Sequence, residues 1–105
     1  MGKMYRLELD GYDKEGSRIL ILESTDLYAI HQKIQFDKMI RAHEIIRDHP
    51  DFIAEGPKVP LDKIQVVRHF AYIITEIDDI TNQKLRAYET DWLKLYKIPS
   101  PKNAL

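Results

Sequence analysis

A chain of 105 residues with 44% hydrophobic and 31% charged side chains has the size and composition of one folded domain. It contains no cysteine, which excludes a disulfide framework, a thiolate nucleophile and a cysteine zinc site. The 16 basic and 17 acidic side chains give a net charge of −1, which does not favour a bulk phosphate-binding surface. We expect a single domain over residues 1–98 and a flexible tail over 99–105.

The chain shows no signal-peptide core and no membrane-spanning segment. The N-terminal sequence MGKMYRLELDGYD lacks an apolar stretch. The longest uninterrupted apolar run, at 70–74, is far shorter than the ~20 residues that a membrane helix needs. The sequence therefore predicts a cytoplasmic protein without a membrane partner.

The N-terminal segment predicts a β-hairpin. Residues 4–9 alternate between apolar and polar side chains, which is the period of a half-buried strand. The following DGYDKEGS has the composition of a turn, and RILILE is typical of a second strand. Both faces of this second strand are apolar, so we expect its outer face to contact another strand, a second copy or a partner.

A helix is predicted over residues 26–48, which contain neither glycine nor proline. Ser24 or Thr25 can cap its N-terminus, and Pro50 ends it because the residue before a proline disfavours the helical backbone. An apolar stripe on this helix is expected to face the core. The stripe begins with Leu27, Ile30 and Ile34 and continues, with some rotation, through Phe36, Met39, Ile40, His43 and Ile46.

After a proline-rich linker at 49–60, the C-terminal half predicts a second helical region over residues 62–97. No glycine or proline interrupts this region, and apolar residues return in it every three or four positions. It is expected to bend or break near residues 78–82, because Asp78, Asp79, Thr81 and Asn82 are weak helix formers. One straight helix would also be ~54 Å long, which is long for this domain.

Two alternatives for this region stay open. One is a continuous helix that projects from the body or pairs with a second copy. The other is a strand in part of 64–77, where the β-branched residues Val66, Val67, Ile73, Ile74 and Thr75 favour strand. The fold predicted overall is α+β, with an N-terminal β-hairpin packed against two or three helices.

The end of the C-terminal region has the composition of a protein-binding surface. Residues that commonly anchor interfaces recur there at helical spacing; they are Leu85, Tyr88, Trp92, Leu95 and Tyr96. We expect this stripe either to bind a partner or to pack on the hairpin and first helix of the same chain. The predicted function is a small non-enzymatic interaction or regulatory protein, of the accessory or inhibitor type found in phage and bacterial genomes, which binds a protein partner or itself.

Two further hypotheses concern charge. An acidic surface in 76–91 could engage a basic groove, as in an inhibitor of a nucleic-acid enzyme; its side chains are Glu76, Asp78, Asp79, Glu89 and Asp91. Alternatively, Lys94 and Lys97 beside Trp92 could contact phosphates and stack bases, which predicts a nucleic-acid-binding regulator.

The sequence predicts no enzyme, no cofactor and no metal site. The zincin motif needs two histidines four residues apart, but Arg47 occupies that position after His43. No serine lies in a nucleophile elbow, and no glycine-rich loop could hold a phosphate. If the protein is an enzyme after all, His43, His69 and Glu76 are its titratable candidates.

Overall fold

The computed structural model describes residues 2–11, 18–54 and 65–97, and these residues form five strands and one helix. The elements are β1 (Lys3–Asp10), β2 (Arg18–Ser24), α1 (Leu27–Asp48), β3 (Phe52–Ala54), β4 (Gln65–Asp78) and β5 (Lys84–Lys97). The predicted tail at 99–105, the second half of the predicted linker (55–60) and the start of the predicted second helix lie outside the described residues.

The five strands form one curled sheet, a half-barrel in the order β2-β1-β4-β5-β3. Every neighbouring pair is antiparallel. The register shifts once between β1 and β2 and three times between β4 and β5. Such bulges bend a strand and increase its twist, so they favour the curl that lets the sheet pack against α1.

The prediction of two or three helices is wrong. Residues 65–97 form two long paired strands, whereas the expected hairpin and first helix are present. The error has a physical reason: every residue of 71–77 is buried, so both faces of the middle of β4 are covered. A continuous apolar run contains residues at every spacing, including the helical one. The alternative of a strand within 64–77 describes this part of the chain.

A bulge concealed the alternation of β5. Ile74 pairs with Tyr88 and Tyr72 pairs with Asp91, so β5 has one extra residue, Thr90, between these pairs. The side chains that face α1 therefore change from even to odd positions along β5. This shift adds one step of three to the strand period of two. The predicted helical spacing joined residues from both faces of the strand, such as Tyr88 and Trp92.

The turn between β4 and β5 uses the weak helix formers at 78–82. The carboxylate of Asp78 accepts the backbone N–H groups of Ile80 and Thr81 at 2.9 and 3.0 Å, and these bonds lower its pKa. Asn82 has a φ of 64°, a left-handed conformation that asparagine adopts more readily than most residues. The interruption predicted here is thus a hairpin turn and not a break between helices.

The core lies between α1 and the sheet. Its buried side chains are Leu7 and Leu9 of β1, Ile30 and Ile34 of α1, Tyr72 and Ile74 of β4, and Leu93 of β5. All three central strands and the helix therefore contribute to one cluster.

Two polar contacts tie α1 to the sheet at the border of this core. The Tyr72 hydroxyl donates to Asp37 at 2.6 Å, and Arg41 donates to the same carboxylate at 3.0 and 3.1 Å. Toward β5, the Lys38 ammonium donates to Asp91 at 3.2 Å. These contacts connect α1 to the two longest strands, so they fix which face of the helix is turned away from the sheet.

Candidate interaction surface

Local sequence signals set the length of α1. The N-cap is Asp26, not Ser24 or Thr25: its carboxylate accepts the N–H of Tyr28 at 3.0 Å. The hydroxyl of Ser24 supports the cap by accepting the N–H of Asp26 at 3.0 Å. At the other end His49 leaves the helical conformation, with a φ of −134°, immediately before Pro50.

The inner face of α1 is fully used by the core. Ile30 and Ile34 are buried, and Leu27 and Ala42 are partly buried against the core cluster. This part of the predicted apolar stripe is confirmed.

The outer face of α1 is also apolar, and it is exposed. Its large side chains keep about half or more of their surface in water; they are Tyr28 (69%), Phe36 (60%), Met39 (62%) and Ile40 (48%). With 3.6 residues per turn, Phe36 lies about 200° around the helix from Ile34. The sequence predicted that Phe36, Met39 and Ile40 continue the inner stripe, and this prediction is wrong. We refer to these three residues and Tyr28 together as the outer patch.

The outer patch could have been found from the sequence. A helical projection that started from Ile34 would have placed Phe36 and Met39 on the opposite side. Treating them as a rotated continuation of one stripe hid the fact that α1 has two apolar faces. On a typical surface helix of a globular protein, only the face toward the core is apolar and the opposite face is polar.

The borders of the outer patch are polar, while its centre holds no Asp, Glu, Lys or Arg. Gln32, Gln35 and His43 lie among the apolar side chains and are exposed. Lys33 and Glu44 lie along one border and are exposed as well. An apolar centre with a charged border is the usual composition of a protein-binding site.

The exposed apolar area of the outer patch is roughly 500 Å², since large apolar side chains carry about 150–250 Å² each. The largest apolar patch on a typical monomer covers about 300–600 Å² and is often functional. The outer patch falls within that range although it comes from one face of one helix.

Two open grooves adjoin the outer patch. One, of about 550 Å³, runs between α1 and β2, and its lining includes Leu22, Ala29 and Phe36. The other, of about 400 Å³, lies on the C-terminal half of the helix and is lined by Met39, Ile40, His43, Glu44 and Arg47. Both grooves could receive side chains of a partner. The surface therefore combines the projecting apolar side chains of the outer patch with two grooves beside them.

The second strand, β2, contributes exposed apolar side chains of its own. A bulge places Ile21 between the pairs Leu7–Leu22 and Glu8–Leu20. Ile21 and Leu22 then both pack against the core, while Leu20 remains about half exposed. Part of the apolar surface that the sequence assigned to an outer contact is therefore used by the core.

The aromatic stripe predicted at the C-terminus does not form one surface. On a strand its residues separate to two faces: Leu95 is buried, Tyr88 packs against the core, and Trp92 is exposed on the face away from α1. Leu85 is exposed near the turn, and Tyr96 is half-buried. Their role in partner binding stays a prediction, but one stripe cannot carry it.

The predicted acidic surface is also divided. Glu76 is buried and paired with Lys3, at 3.1 Å, and with Arg86. Arg86 first, and Lys3 second, hold the pKa of Glu76 below its ordinary value. Asp91 faces the helix, where it accepts from Lys38. These carboxylates stabilise the fold locally.

Of the remaining acidic residues, Asp78 and Asp79 lie at the β4–β5 turn, whereas Glu89 lies along β5. Asp78 holds the turn, Asp79 accepts the N–H of Gly2 at 3.2 Å, and Glu89 accepts the indole N–H of Trp92 at 3.0 Å. Binding of a basic groove by this segment stays a prediction without a common acidic face.

The basic residues considered for nucleic-acid binding lie on β5. Lys97 contacts Asp51 at 3.7 Å, and Lys94 and Trp92 are exposed on the face away from α1. This arrangement leaves Lys94 and Trp92 on one face, with an acidic residue, Glu89, bonded to the indole.

Within the described ranges, no cluster of three or more His, Asp or Glu side chains could hold a metal ion. In the same part of the chain, no helix has both the length and the apolarity that crossing a membrane requires. Comparison with known proteins found no matching family model, no matching curated protein and no matching solved structure.

Proposed function

We propose that this chain is a small, non-enzymatic protein-binding module that contacts its partner through the outer patch of α1. The observation that supports the proposal is the exposure of four large apolar side chains on a helix whose opposite face already fills the core. Folding alone does not require these residues to be apolar, because they face water in the folded chain.

The exposed apolar surface supplies a driving force for binding. Removing apolar surface from water is the dominant favourable contribution to most protein association. Buried area alone does not set an affinity, because lost motion and the ordering of side chains oppose it. The outer patch is therefore the kind of surface that a partner can bury with a gain in free energy.

The spacing of the outer patch indicates how a partner binds. Phe36 and Ile40 lie on adjacent turns of one side, four positions apart, and Tyr28 lies about three turns before Met39 and almost in line with it. This is the i, i+4 pattern with which an amphipathic helix contacts a groove or another helix. The partner surface is therefore expected to be apolar and elongated along the helix axis.

A photo-reactive phenylalanine analogue at Phe36 tests the proposal in living cells. Illumination is expected to give a covalent adduct with whatever protein covers the outer patch. The matched control is the same analogue at Ile80, an apolar residue that is 73% exposed at the β4–β5 turn. Equal adducts at both positions, or none at Phe36, would contradict the proposal.

A further inference from the structure

We infer that the outer patch binds the outer patch of a second copy of this chain, with the two α1 helices antiparallel across a twofold axis. This inference rests on the proposed function, because it uses the same surface. It differs in naming the partner and the orientation, and it follows from area and from charge.

The area suits a self-complementary contact. A stable protein interface buries at least about 1,000 Å² in total, counted over both partners. Two outer patches together supply roughly that amount from four side chains each, before Gln32, Gln35 and His43 are counted. A twofold contact brings the same patch from both copies, so it needs no second apolar surface on the described chain.

The charges suit an antiparallel arrangement. Lys33 and Glu44 are both exposed and lie eleven positions, or about three helical turns, apart on the same side of α1. An axis midway between them, beside Met39, places Lys33 of each copy opposite Glu44 of the other. Two symmetric ion pairs then border the apolar contact.

The residues nearest the axis suit close packing. Phe36, Met39 and Ile40 all lie within one turn of the midpoint, so the large side chains of one copy meet those of the other. The charged residues lie about 8 Å from the axis on either side. This is an apolar centre with a charged border, which is the arrangement that specific interfaces adopt.

A parallel arrangement would be less favourable. Its twofold axis runs along the helices, so it places Lys33 and Glu44 of the two copies on opposite edges of the contact, where the two ion pairs cannot form. It would also align the two helix dipoles. The same residues therefore favour one orientation over the other.

Cysteine cross-linking of the purified chain tests the orientation directly, because the natural sequence has no cysteine. Met39→Cys lies near the axis and is expected to form a disulfide-linked dimer, twice the chain mass of 12.4 kDa, under mild oxidation. In the antiparallel pair the two copies of Tyr28 are about 30 Å apart. Tyr28→Cys is therefore expected to stay monomeric on the same gel, and its cross-linking as readily as Met39→Cys would overturn the inference.

Charge reversal tests the register by sedimentation equilibrium of the same protein in the micromolar range. Lys33→Glu and Glu44→Lys alone are each expected to raise the dimer dissociation constant roughly tenfold, because each replaces two attractions with two repulsions. The double variant is expected to restore the constant of the unchanged chain. Single variants that leave the constant unaltered, or a double variant that is weaker still, would overturn this register.

The results also separate this inference from the proposed function. A purified chain that stays monomeric throughout the micromolar range overturns the inference. If the Phe36 photo-adduct then contains a different protein, the proposed function still holds. A dimer that persists in a folded Phe36→Lys variant would overturn the inference, because the interface would lie elsewhere.

Discussion

Asp37 is the residue on which the attachment of α1 to β4 depends most. Burial raises the pKa of this carboxyl, but the hydrogen bonds from Arg41 and Tyr72 and the charges of Arg41 and Lys33 outweigh burial, so the pKa lies below its ordinary value of 3.8. Burial also raises the pKa of Tyr72, and the bond to Asp37 raises it further. The hydroxyl therefore remains a protonated donor, and the carboxylate remains its ionised acceptor.

The free energy of unfolding is expected to depend on pH because Asp37 is ionised in the folded chain. Ionised Asp37 stabilises the folded chain fully above its unfolded-state pKa, and that contribution is lost as pH falls through the lower folded-state value. Asp37→Asn is expected to cost about 1–3 kcal/mol at neutral pH. Urea titrations from about pH 7 to about pH 3 should show the gap between the two proteins shrinking.

Tyr72→Phe is the matched control for that experiment. It removes one hydrogen bond, costing about 1 kcal/mol, but leaves a carboxylate that still titrates against Arg41. Its acid dependence should therefore keep the direction of the unchanged chain but be weaker, because the Tyr72 bond is one of the contributions that lower the pKa of Asp37. A gap between the unchanged chain and Asp37→Asn that stays constant over the whole pH range would show that the ion contributes nothing.

At the scale of the element, α1 is a helix with two apolar faces: one packs in the core and the other is exposed on the surface. Ile34 is buried on the inner face and Phe36 is exposed on the outer face, only two positions later. Ile34→Ala is expected to cost about 2–4 kcal/mol of stability, because it opens a cavity in the core. Phe36→Ala is expected to change the stability of the monomer by less than about 0.5 kcal/mol, because most of the Phe36 side chain faces water.

Chemical denaturation of both variants at low protein concentration would measure these differences. Low concentration matters, because a dimer held by the outer patch would add its own stabilisation to the unchanged chain. A large loss of monomer stability in Phe36→Ala would mean that the outer patch belongs to the fold itself.

The elements differ in how far their sequences reveal them. The first hairpin and α1 follow from local signals: alternation, turn composition, an N-cap and a proline stop. For β4, burial on both faces removes the alternation, and only β-branched residues such as Ile73 and Thr75 remained to indicate a strand. For β5, the bulge at Thr90 disrupts the period. The candidate surface could have been predicted in part, because Phe36, Met39 and Ile40 were identified but assigned to the wrong side of the helix, whereas Tyr28 was not identified.

At the scale of the whole molecule, one core holds distant parts of the chain together. Leu7 and Leu9 come from the first strand and Leu93 from the last, yet they belong to the same buried cluster. A domain with one shared core usually unfolds in a single cooperative step.

Leu93→Ala tests this cooperativity. Its expected cost is about 2–4 kcal/mol, and hydrogen exchange should show that loss equally at core amides of β1 and β5. A loss confined to β5 would indicate two separate folding units.

The strand order also bears on how a ribosome delivers this protein. β1 pairs with β4, and Lys3 lies opposite Asp78. Nearly three quarters of the 105 residues are therefore synthesised before the second neighbour of β1 is complete. During that interval the nascent chain carries an open strand edge beside Leu7 and Leu9, which is a template for aggregation. Slow translation of the residues between β1 and β4 should therefore lower the yield of folded protein, and an unchanged yield would contradict this consequence.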